Sequence, residues 1–210
     1  MPTLYISPTG SGLRDGSSLE NAGVLADLPA FITAAGAGGE VLLRADEGPY
    51  QQTSEIAINA GGAVGANVTV RGIDGDGNPM PAEIVGTRAE NWTPGQVEGT
   101  ELFRLSSGAN NLTFEDLSIR NFGPGAFRVA ADINNLTLRQ IDATNVQKFF
   151  EDQALSPATS ASVKGLVVED VTVTGYSKYA FELKYDSQNV RLENVTGDSQ
   201  RQNGGLYVVG

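Results

Sequence analysis

One seven-residue phrase recurs down the second half of the chain, and it limits what such a chain can fold into. The copies are Asn111-Leu112-Thr113-Phe114-Glu115-Asp116-Leu117, Asn135-Leu136-Thr137-Leu138-Arg139-Gln140-Ile141, Gly165-Leu166-Val167-Val168-Glu169-Asp170-Val171 and Asn189-Val190-Arg191-Leu192-Glu193-Asn194-Val195. A weaker copy is Asn67-Val68-Thr69-Val70-Arg71-Gly72-Ile73. The steps between first residues are 44, 24, 30 and 24. A period near 24, with one step of nearly two periods, is the signature of stacked structural repeats. Within each copy apolar and polar residues alternate, which is a strand period. One such unit buries one side of each strand, so each depends on its neighbours for stability.

A second set of strands precedes the phrases: Leu102-Phe103-Arg104-Leu105, Ala126-Phe127-Arg128-Val129, Phe149-Phe150-Glu151-Asp152, Ala180-Phe181-Glu182-Leu183 and Gly205-Leu206-Tyr207-Val208. Alternation puts Phe103, Phe127, Phe150, Phe181 and Leu206 inside, stacked on one another. Asp152 breaks the next inward column and predicts that its strand ends early. A third strand in each coil starts at Leu117, Ile141, Val171 or Val195. Between second and third strands stand Gly72, Asp116, Gln140, Asp170 and Asn194, at a bend that calls for a left-handed residue. These are read as structural rather than as ligands.

Residues 4–6 read as a strand and 20–36 as a helix whose apolar face is Val24, Leu25, Leu28, Phe31 and Ile32. Pro29 inside it points to a helix that breaks or starts late. Val41-Leu42-Leu43 reads as a buried strand. The helix would cover the open end of the stack. Residues 1–40 thus form a cap and residues 41–210 the coils. Leu206 and Val208 then sit on an uncovered edge, which predicts further coils or another chain over that end.

The segments Tyr5-Ile6-Ser7-Pro8-Thr9-Gly10-Ser11, Asp15-Gly16-Ser17-Ser18, Glu40-Val41-Leu42-Leu43 and Glu47-Gly48-Pro49-Tyr50, with the helix among them, resemble the N-terminal cap of right-handed parallel β-helix proteins of the pectate-lyase-like superfamily. The resemblance covers essentially the whole chain. It implies an all-β, single-stranded parallel β-helix (a solenoid) with an N-terminal capping α-helix. It also implies a polysaccharide as partner, and activity as a lyase or C5-epimerase on an acidic glycan. The rival reading is a non-catalytic adhesin, surface-layer or structural module. Secretion or display at the cell surface goes with either, although the first residues carry no basic and apolar leader pattern.

Composition removes several chemistries. The 210 residues contain no cysteine and no histidine, which excludes disulfides, thiol catalysis and every histidine base or ligand. A net charge of −11 argues against nucleic acid, whose phosphates need a basic face. No apolar run is long enough to span a membrane.

The outward position of the Phe-centred strands is Arg104, Arg128, Glu151, Glu182 and Tyr207. One rung stands about 4.8 Å above the next, so these form a vertical line. Lys184 is one outward position further on, and Lys178 and Arg201 lie in the turns leading into this strand. Glu151, Glu182 and Lys184 are the candidate groups for proton transfer. Arg104, Arg128, Lys178, Arg201 and Tyr207 are the candidates for holding substrate. Against this stands a plain surface charge ladder, in which Arg104 over Arg128 and Glu151 over Glu182 repel unless something bridges them.

Asp74-Gly75-Asp76-Gly77-Asn78 resembles the opening of a calcium loop, so Asp74, Asp76 and Asn78 are the candidate Ca2+ ligands. Pro79 stands where such a loop wants glycine, and a glycine-rich turn is the preferred reading. The Asn-x-Thr sites at Asn67, Asn91, Asn111, Asn135 and Asn194 are explained better by the strand pattern than as glycosylation acceptors. Trp92, Tyr176 and Tyr179 are candidates to stack on sugar, with packing preferred for Trp92. The segment Gln153 to Ser162 is an insertion that could wall a cleft or simply be tolerated.

Overall fold

The computed structural model describes residues 1–153, 161–184, 186–200 and 205. Tyr185, Arg201, Leu206, Tyr207, Val208 and most of the 153–162 insertion lie outside the described residues.

In chain order the elements are β1 (Thr3–Ile6), α1 (Leu28–Ala35), β2 (Glu40–Arg44), β3 (Tyr50–Gln51), β4 (Ile56–Ile58), β5 (Val68–Ile73), β6 (Ala82–Val85), β7 (Phe103–Leu105) and β8 (Leu112–Phe122). They continue as β9 (Phe127–Val129), β10 (Ile133–Val146), β11 (Lys148–Asp152), β12 (Val163–Thr174), β13 (Tyr179–Glu182) and β14 (Arg191–Asp198). Every pairing between these strands is parallel. One sheet runs β1-β2-β5-β8-β10-β12-β14, with β6 also on β8 and β3 on β6; the second runs β4-β7-β9-β11-β13. The chain is thus mostly β, with parallel sheets and one short α-helix.

The register follows the sequence repeat. Val68 stands beside Leu112, Leu112 beside Leu136, Leu136 beside Leu166, and Val167 beside Arg191. The pairing of Val68 with Leu112 makes the 44-residue step a single step between hydrogen-bonded neighbours. Its surplus residues form a turn between β5 and β6 and a longer excursion after β6. That excursion is pinned by Arg88, whose buried guanidinium lies 4.1 Å over Trp92, donates to Ser177 Oγ at 2.7 Å and pairs with Glu98 at 3.2 Å. Trp92 is correspondingly buried.

From Leu112 onward, the second and third strands of each sequence repeat are one continuous pairing strand with a left-handed bend inside it. Asp116, Gln140, Asp170 and Asn194 have φ of 51–53°. Gly72 does not take this conformation. Glycine is needed there for another reason: a Cβ would lie 2.2 Å from Met80 O and 2.4 Å from Asp116 O. Two further left-handed columns went unread in the sequence, Asn111-Asn135-Gly165-Asn189 and Asn121-Asn145-Gly175-Gln200. Asparagine tolerates this backbone, and its amide can bond the rung above. Asn135 Nδ2 donates to Asn111 Oδ1 at 2.8 Å, Asn145 to Asn121 at 2.8 Å, and Asn194 to Asp170 at 3.0 Å.

The core is the space bounded by the two sheets. Phe103, Phe127, Phe150 and Phe181 are paired in register and fully buried. Phe149 joins the ring stack, meeting Phe127 at 5.5 Å and Phe181 at 5.4 Å, while Phe150 stands 6.5 Å from Phe181. Asp152 is the last residue of β11, where the sequence places the end of this strand. It pairs with Val129 and is fully buried, because its carboxylate accepts from the Lys184 amide and from Ser187 Oγ.

The helix starts late. Leu19–Asn21 and Leu25–Asp27 are single 3-10 turns, and α1 begins with Pro29 in its first turn, where the missing N–H is harmless. Its buried face, Leu28, Phe31, Ile32 and Ala35, belongs to the same core. Tyr50 fastens this end: its buried hydroxyl lies 2.9 Å from the carbonyl oxygens of Ile6 and Arg44.

Candidate functional site

The second sheet carries the predicted line of charges. Arg104 pairs with Arg128, Arg128 with Glu151, and Glu151 with Glu182, each on the next strand; Ala57 precedes Arg104 in the same column. Both like-charge steps have a bridge between them. Glu101 sits between the two arginines, contacting Arg104 Nη2 and lying 3.2 Å from Arg128 Nη1. Lys148 Nζ contacts Glu151 and Glu182. Glu55 adds a contact to Arg104 at one end, and Lys184 Nζ lies 2.7 Å from Glu182 Oε1 at the other.

The result is a chain of alternating sign: Glu55, Arg104, Glu101, Arg128, Glu151, Lys148, Glu182, Lys184. Its weakest link is Arg128 Nε to Glu151 Oε1, at 3.8 Å. Four cations balance four carboxylates. The middle of the chain is sealed, with the Glu151 side chain 1% and Lys148 4% exposed, whereas Lys184 at the end is 40% exposed. Buried charges are tolerated only when paired in this way.

Glu55, Glu101 and Lys148 were missed from sequence, although a signal was there. Two residues before the phenylalanine column stand Glu101 and Lys148, each of opposite charge to the pair it bridges.

The carboxyl groups are driven apart in acidity. Burial raises the pKa of Glu151 above its ordinary value, against the pull of Lys148. Burial also pushes Glu182 up, but hydrogen bonds from Lys148 and Lys184 outweigh it and the net shift is downward. At the far end Glu55 is raised by burial and by its hydrogen bond to Glu101. Glu101 is pushed up by burial, yet hydrogen bonds with Glu55 and Arg104 and the charge of Arg128 bring it down. So Glu55 holds a proton more readily than Glu101. Both border a shallow cleft of about 420 Å³, with Thr53, Ser54, Gly99, Thr100 and Pro124.

Compared with known protein families, curated proteins and solved structures, the chain shows no match.

Of the predicted site residues, Arg104, Arg128, Glu151, Glu182 and Lys184 come together. Lys178 does not join them: it is exposed in the turn before β13, its ammonium 5.9 Å from the Tyr179 ring centre. Arg201 and Tyr207 lie outside the described residues. Asp74, Asp76 and Asn78 sit in the turn between β5 and β6. There the Asp74 carboxylate accepts from the amides of Asp76 at 2.9 Å and Asn78 at 2.8 Å and from Asn78 Nδ2 at 3.0 Å. These bonds hold its pKa below the usual carboxylate value. Among the described residues no three acidic side chains converge as a metal-ligand group.

Proposed function

We propose that the chain is a run of coils of a right-handed parallel β-helix, of the pectate-lyase-like kind, serving as a non-catalytic adhesive or structural module of a secreted or cell-surface protein. Support for the β-helix comes from the register: residues one sequence repeat apart are hydrogen-bonded neighbours, rung after rung. The observation that carries the module reading is the alternating charge chain. Each of its cations already rests on a carboxylate, so an acidic polymer gains no free positive charge there. Glu151 and Glu182 are closed to solvent and cannot reach a polymer without breaking the chain. The strip reads as a clamp between rungs. Incubation with a panel of uronate polymers, with and without calcium, tests this. No ultraviolet-absorbing unsaturated product is expected; product whose formation Glu182→Gln abolishes would contradict it.

A second reading, action on an acidic polysaccharide as a lyase or C5-epimerase, is favoured by one specific observation. Glu55 and Glu101 are shifted in opposite directions at the edge of an open cleft, the pattern of a paired proton donor and acceptor. In this reading Glu101 takes the proton, Glu55 supplies one, and Arg104 and Arg128 hold the Glu101 charge. Activity on any uronate polymer that falls in Glu101→Gln and not in Glu182→Gln would establish it over the first.

A further inference from the structure

On a corner of the fold away from the charge strip lies a polar groove of about 410 Å³. It follows the column Asn111-Asn135-Gly165-Asn189 and its neighbours Asn110, Asn134 and Lys164. The amide ladder is broken here. Asn135 caps Asn111, but the next rung has Gly165 where a third amide would stand. A Cβ on Gly165 would lie 2.8 Å from Asn135 Oδ1, so the glycine leaves that oxygen facing open space. Beyond the gap comes the exposed Asn189. Among the described residues no hydrogen bond is made to Asn135 Oδ1 or by the Asn189 amide. At the other end of the groove stands Val64, 86% exposed at the tip of a tight turn closed by Ala63 and Ala66.

We infer that this groove binds a neutral, hydroxyl-rich glycan. Side-chain amides offer both donors and acceptors, matching hydroxyls that do both. The lower amides are joined to one another, Asn134 to Asn110 at 3.2 Å and Asn135 to Asn111 at 2.8 Å, so a sugar meets the free groups on Asn135 and Asn189, about 10 Å apart. An exposed apolar side chain beside them offers a surface for the C–H face of a ring, and small-ligand sites combine apolar contact with a few placed polar groups. A net charge of −11 disfavours a polyanion, and Lys164 is the one cation lining the groove. The gap at Gly165 is where hydroxyls of one sugar meet Asn135 Oδ1 on one side and the Asn189 amide on the other.

This inference rests on the module reading and gives the module its ligand. The two are tested separately, since the uronate-product assay is blind to neutral sugars and to this corner. Titration calorimetry with neutral tetrasaccharides of glucose, mannose, xylose and N-acetylglucosamine, and with tetragalacturonate, decides it. Saturable binding of at least one neutral sugar is expected. Asn189→Gly and Asn135→Gly, which keep the left-handed corner and remove the amide, should each weaken it about tenfold, the worth of one or two hydrogen bonds. Val64→Ser should weaken it similarly with no change in thermal stability. No saturable binding across the neutral panel, binding indifferent to all three variants, or tetragalacturonate binding tighter than every neutral sugar would each overturn the assignment.

Discussion

Lys148 Nζ is held between Glu151 on its own strand and Glu182 on the next, and all three side chains are buried. A single ammonium there cancels the repulsion of two stacked carboxylates. Removing it leaves both without their cation in a place water does not reach. Lys148→Met should therefore destabilise the fold by about 3–5 kcal/mol. Lys184→Gln, at the exposed end of the same chain, should cost less than about 1 kcal/mol. Urea unfolding of the two variants measures the difference; equal effects would mean that the middle of the chain is not sealed.

Acidity should act on this strip in two opposed ways. Glu182 and Glu101 have lowered folded pKa values, so their contribution is full above the unfolded value of 4.5 and is lost as pH falls below it. Glu151 and Glu55 have raised values, so stability falls as pH climbs from 4.5 through their folded values. The strip's contribution should peak near pH 4.5. Thermal melts across pH should show Glu151→Gln flattening the slope above the peak and Glu182→Gln flattening the slope below it. Parallel curves for wild type and both variants would contradict the assigned directions.

The left-handed corners set a different test. Asn145 has φ 52° and donates to Asn121 Oδ1 and to Ala89 O. Alanine loses the hydrogen bonds and pays about 1–2 kcal/mol for the backbone alone; glycine loses only the bonds. Asn145→Ala should be the more destabilising of the two by about that amount in equilibrium unfolding.

Phe149 joins the rings of Phe127 and Phe181 beside Phe150, the residue that alternation places in that column. Phe149→Ala should cost about 3–5 kcal/mol, as a fully buried ring does. A loss under about 1 kcal/mol would return the stacking role to Phe150.

The strand pairing was legible because a side-chain period of two and a rung period near 24 together fix both face and register. Leu112, Leu136 and Leu166 align by inspection. Asp152 marked the end of β11 correctly, but its burial was not readable, because its partners, the Lys184 amide and Ser187, are both more than 30 residues away. For the 44-residue step, period alone does not separate an extra rung from a long excursion; the pairing of Val68 with Leu112 shows that the excursion is built. For the charge strip, the column of Arg104, Arg128, Glu151 and Glu182 was readable and its bridges were not. Reading Glu101 and Lys148 as their partners requires knowing that a side chain two places before the column reaches between the stacked pair.

The central claim is that residues one repeat apart are vertical neighbours, including across the irregular 30-residue step. Asp142 and Thr172 are exposed and paired in register, and Thr196 lies one rung beyond Thr172. The chain has no cysteine, so paired cysteines can be introduced without background. Asp142→Cys with Thr172→Cys should form an intramolecular disulfide under mild oxidation, and Asp142→Cys with Thr196→Cys, two rungs apart at about 10 Å, should not. Failure of the first pair together with closure of the second would contradict the stacking on which every other statement depends.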